Sequence, residues 1–131
     1  MYTLLRIEGE RALLDRYRCE LAARHPELKV GITRRGELTV DLSKHDSWDE
    51  HQWQVENLLA KIAPEVEAAR NDGCSLYVDC GVYVPSPSGP DISVVVRSYR
   101  HRPSLLEQLA RLGLAYEVTV YVQPAPTSPA S

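Results

Sequence analysis

Apolar residues recur at every second position in several separate stretches of this chain, a pattern that suits strands with one buried face. The longest is CSLYVDCGVYV, residues 74–84, in which Leu76, Val78, Cys80, Val82 and Val84 share one side. TLLRI (3–7) is a shorter apolar run. Leu28, Val30 and Ile32 alternate with Lys29, Gly31 and Thr33, and the pattern returns at Leu38, Val40 and Leu42. With RRGE between them, these last two runs predict a hairpin with Gly36 in its turn. ISVVVRSY (92–99) and YEVTVYV (116–122) bring the set to about six; the turn-rich PSPSGPD joins the former to 74–84.

Between the strands the period changes. Near 10–24, Leu13, Leu14, Tyr17 and Leu21 fall on one helical face. A long helix is expected from about 48, re-entered at Pro64, since proline suits the first turn of a new helical segment. In SLLEQLARLGL (104–114), Ser104 and Glu107 have capping-box spacing and Gly113 suits the stop. The resulting order, β-α-β-β-α-β-β-α-β, predicts an α+β sandwich: one mostly antiparallel sheet of about six strands with three helices on one face. The other face should be partly wet, because Tyr77, Tyr83, Thr119 and Tyr121 take the positions opposite the aliphatic ones. A chain of 131 residues can bury roughly two-thirds of its unfolded surface, so a single domain over 1–123 is expected. The tail PAPTSPAS (124–131) has three prolines and no apolar period, which predicts disorder.

Several function classes are disfavoured. Apolar runs fall far short of the ~20 residues that span a bilayer, and MYTLLRIEGE lacks a basic region and cleavage site, so neither membrane nor signal peptide is expected and cytoplasm is the default. A net charge of −3 argues against a general nucleic-acid binder. Cys19, Cys74 and Cys80 form no CxxC, and six strand steps put the last two on the order of 20 Å apart, too far for a disulfide. All three read as reduced core or near-core thiols, and no cofactor is implied.

The densest stretch is SKHDSWDEHQW (43–53), with two histidines, three acids and two tryptophans. On a helix two metal ligands lie three or four positions apart, but the residues at those offsets from His51 are Ser47, Trp48, Gln54 and Val55. No helical metal pair is expected. Ser47 and Glu50 have capping-box spacing, and Asp46 and Asp49 add charge favoured by the helix dipole. With Val55, Leu58, Leu59 and Ile62 defining the core face, Trp48 should be core and Trp53 should lie roughly 170° away. Trp53 then projects among Asp46, Asp49, Glu50, Glu56 and Asn57 as a partner surface, unless a loop or the tail covers it.

RSYRHRP (97–103) is the one basic cluster. Arg97, Arg100, His101 and Arg102 precede a helix start, where free N–H groups suit an anion, although no Gly-rich phosphate loop accompanies them. No Ser-His-Asp or Cys-His arrangement is evident; His101 is the best available acid or base for an enzyme reading, which ranks third.

W…VENLLAKIAPEVEAA, the strand pair after it, and LLEQLARLGLAYEVTVYV resemble bacterial domains grouped as family 4279 of the domains of unknown function; the distinctive element is LxxLGL followed by a strand ending at Tyr121. Some members of that family look like toxin immunity proteins. The resemblance implies a small binding protein that neutralises a cognate bacterial toxin by occluding its active site. The alternative is a ligand-binding or regulatory domain for an anionic small molecule at 97–103.

Overall fold

The computed structural model describes residues 1–85 and 99–123. The chain runs through strand β1 (Tyr2–Glu8), helix α1 (Arg11–Arg24), strands β2 (Val30–Ile32) and β3 (Leu38–Lys44), helix α2 (Trp48–Asn71), strand β4 (Ser75–Pro85), helix α3 (Pro103–Leu112) and strand β5 (Ala115–Gln123). The α+β class is as expected. Residues 92–98 of the expected strand and the tail 124–131 lie outside the described residues, and Tyr99 is not in a strand.

Among the described residues the sheet has five strands in the order β2-β3-β1-β4-β5. That is one fewer than the six expected; three ladders are antiparallel, in keeping with a mostly antiparallel sheet, but the sheet is mixed, because β5 lies parallel to β4, with Val78 opposite Tyr116 and Val84 opposite Val122. A helix between two neighbouring strands returns the chain to the end it left from, and α3 makes that return before β5. The hairpin appears as expected, with Val30 opposite Val40 and Gly36 in its turn.

Strand alternation sorts the faces as expected. Leu5, Ile7, Leu38, Val40, Leu42, Leu76 and Val78 are buried together with one stripe from each helix. Leu14, Tyr17 and Leu21 come from α1, Val55, Leu59, Ile62, Val66 and Ala69 from α2, and Leu105, Leu109 and Leu112 from α3. The helical spacings of three and four keep each stripe on one side. The opposite sheet face carries Tyr2, Tyr83 and Tyr121, whose rings cluster and whose Tyr2 and Tyr121 hydroxyls are 3.0 Å apart. Tyr2 lies flat across Gly81, where any Cβ would collide with its ring. Beside this cluster Arg6 bridges Asp79 at 2.9 Å and Glu37 at 3.2 Å.

Four local expectations are revised. α2 runs unbroken through Pro64. Proline has no N–H to give the carbonyl of Ala60, and Ala60 and Pro64 are both exposed, on the solvent side of the helix. Neither capping box forms: Ser47 caps α2 without a side-chain bond while Glu50 reaches His45, and Ser104 lies inside α3 while Glu107 pairs with Arg111. Cys19 is exposed, whereas Cys74 and Cys80 are buried; all three are free thiols. Gly113 does end α3, in the left-handed conformation with φ 67°.

Candidate functional site

The first turns of α2 follow β3 after the three residues 45–47, so their inner side faces the end of the sheet and the segment leading into α3. Trp48 corrects the core expectation: it is half-buried and stands outside the aliphatic cluster. Its indole N–H donates to the Arg100 carbonyl at 2.8 Å, and its ring meets His51, Tyr99 and His101 at 6.0, 5.1 and 5.3 Å. Gln52, buried, donates to that same carbonyl at 3.2 Å and accepts the Arg102 N–H at 2.9 Å. Together the two side chains strap residues 100–102 to α2.

His51 is 1% exposed and hydrogen-bonded through Nε2 to the Thr3 hydroxyl, while Nδ1 has no partner among the described residues. Burial, reinforced by the positive charges of the N-terminus and His45, pushes its pKa down to about 4, so the ring is neutral at neutral pH. His101 is likewise lowered by burial, and its Nε2 lies 2.8 Å from the Tyr116 hydroxyl. Burial raises the Tyr116 pKa well above the ordinary phenol range. These side chains are engaged in packing and local bonds. The described residues contain no group of three or more His, Cys, Asp or Glu able to hold a metal ion.

The outer side of the same turns differs. Trp53 is 61% exposed, and Asp49, Glu50 and Asn57, one turn away along the helix, are exposed as well; Asp46 is exposed but precedes the helix. Glu50 meets His45 at 3.2 Å. Glu56 leaves the expected set: it is half-buried, accepts from Ser104 Oγ at 2.6 Å and lies 3.9 Å from Arg102. Spacing put Glu56 beside Trp53, but α3 packs against that flank of α2 and draws the carboxylate inward.

The described members of the basic cluster are engaged locally. Arg97 lies outside the described residues. Arg100 contributes its carbonyl to the strap, His101 meets Tyr116, and Arg102 faces Glu56. The start of α3 is already served by the Glu56 carboxylate on Ser104, and proline occupies its first position, where an N–H would otherwise point outward. A second anion there would meet like charge.

Sequence reasoning named the open sheet face but passed over the Arg6–Asp79 pair on it. Asp79 is buried and, among the described residues, only its Oδ2 is paired, to Arg6; the two residues line a groove of about 430 Å³ together with Arg34 and Arg35. The available signal was an acid in the middle of YVDCG and an arginine in TLLRI, each out of step with its strand's apolar positions. No helix among the described residues is long and apolar enough to cross a membrane. Comparison with known proteins adds no relative: no family model, curated protein or solved structure matches the chain.

Proposed function

We propose that the protein is a small binding protein without catalytic activity, and that the outer side of the α2 start, Asp46, Asp49, Glu50, Trp53 and Asn57, engages a basic surface of a protein partner. One observation carries the reading: Trp53 is 61% exposed among carboxylates, while the inner side chains of the same turns are engaged within the chain. Exposed tryptophan is uncommon, and a tryptophan that a partner desolvates is a frequent hot spot. The surrounding acids favour encounter with a cationic partner and make that encounter sensitive to salt. Neutralisation of a bacterial toxin by covering its active site, the role implied by the family resemblance, is the specific form proposed.

The test is affinity capture from cells that make the protein, using the wild type and Trp53→Ala in parallel, followed by calorimetry on the captured partner. Truncation of Trp53 should cost the complex about 2 kcal/mol or more, and added salt should slow association. A partner that binds both proteins equally well overturns the assignment of this surface.

A further inference from the structure

The groove on the open face of the sheet is lined by described residues throughout. β1 and β4 supply its floor, where Arg6 bonds Asp79 at 2.9 Å and reaches Glu37 at 3.2 Å. Parallel register sets Glu117 of β5 directly beside Asp79, and strand alternation turns both toward the open face. On the far side of the floor stands the turn between β2 and β3, which contributes Arg34 and Arg35. That turn is braced twice, by the Gly36 N–H on the Thr33 carbonyl at 2.9 Å and by the Glu37 N–H on the Thr33 hydroxyl at 3.2 Å.

Two features of the groove point to a ligand. Its outer charges are unpaired and sorted by sign: Arg34 and Arg35 on the β3 side and Glu117 on the β5 side have no ion-pair partner among the described residues. Between them Asp79, 6% exposed, lacks a donor on Oδ1. A buried carboxylate oxygen normally keeps its hydrogen bonds, and leaving one unmade is costly. The torsion that turns a carboxylate is soft, so a donor arriving from the groove can meet this oxygen after a small rotation. Three arginines and three acids line the groove, so net charge on a ligand gains little, whereas a ligand carrying both signs is attracted at each end.

We propose that this groove binds a small zwitterion, a free α-amino acid with a polar side chain, its ammonium between Asp79 and Glu117 and its carboxylate against Arg34 and Arg35. The volume of about 430 Å³ is in the range of small-molecule pockets. The side-chain class follows from the rest of the lining: Thr33, Tyr77, Thr119 and Tyr121 offer hydroxyls, and no aliphatic residue stands among them. The groove opens on the face of the sheet away from the helices, so this site does not depend on the Trp53 surface.

Calorimetric titration of the full chain with each of the common free amino acids tests the site, with acetate and methylamine as probes of one charge alone. A polar amino acid such as glutamine or serine should bind at millimolar concentration, leucine more weakly, and the two single-charge probes not at all. Arg34→Gln with Arg35→Gln should weaken that binding at least about tenfold, and so should Glu117→Gln, because each removes a charged partner. All three residues are exposed, so the variants should melt as the wild type does without ligand. Trp53→Ala should bind the amino acid unchanged. The proposal is overturned if no amino acid binds, if binding survives both charge variants, or if acetate or methylamine binds equally well; tighter binding of leucine overturns the side-chain class.

Discussion

On the inner side of the α2 start, Trp48, His51 and Gln52 each bond to a residue about fifty positions away. Trp53, one position further along the helix, makes no side-chain hydrogen bond among the described residues and is mostly in solvent. The two sides have similar raw chemistry, aromatic rings beside polar and ionisable groups. What separates them is the partner. A buried polar group must find one within the fold, since leaving it unsatisfied costs about 1–3 kcal/mol, whereas a solvated group need not. Density of functional residues in a sequence therefore marks both the internal fastening of a helix and a surface free for other molecules.

Trp48→Ala gives the sharpest test of that contrast. It removes a half-buried ring and the N–H that holds the Arg100 carbonyl, and should cost about 3 kcal/mol in urea unfolding. A loss below that of Trp53→Ala would break the comparison.

The next effect is a pH dependence. His51 has a folded pKa near 4, below the ordinary 6.5 of the unfolded chain, so the unfolded state binds the proton more readily. Its contribution is complete above pH 6.5 and is lost as pH falls from 6.5 toward 4, by an amount on the order of 3 kcal/mol. Urea titrations across that window should show the fall, and His51→Gln, which can still bond Thr3, should flatten it. An unchanged slope in the variant would assign the dependence to other groups.

Trp53→Ala should produce the smallest change, within about 0.5 kcal/mol of the wild type, as for other surface substitutions. Acrylamide should quench Trp53 strongly and Trp48 weakly when each is the sole tryptophan. Equal protection of the two would place Trp53 against something within the chain and remove the distinction between the sides.

Much of this contrast was legible in sequence because it depends on spacing. A step of ~100° per residue was enough to turn Trp53 away from Val55, Leu59 and Ile62. Alternation likewise sorted the faces of β2, β3 and β4 before any pairing was known. What escaped depends on contacts distant in sequence. Trp48 occupied a core-like angle, but its position at the first helical turn brings it to Arg100 instead of the aliphatic layer. Glu56 was placed correctly around the helix and then drawn to Ser104 on α3. Both capping boxes had the right residues at the right spacing, yet each glutamate had another partner within reach, His45 or Arg111. The parallel placement of β5 left no mark in its alternation, because a strand shows the same period beside either kind of neighbour. Arg6 and Asp79, 73 positions apart, became a pair only once β1 and β4 were side by side.

The central place of β1 also bears on the order in which a growing chain can assemble. Residues 2–8 are synthesised before the other described elements, yet their two neighbours are residues 38–44 and 75–81. One flank of β1 can zip as soon as the hairpin leaves the ribosome; the other stays open while all of α2 is made. That interval exposes a strand edge on a nascent chain, a state prone to mispairing. The residues emerging then form a helix and bring no competing strand of their own. β5 arrives last and on the outside, so the four strands before it can close without waiting for it.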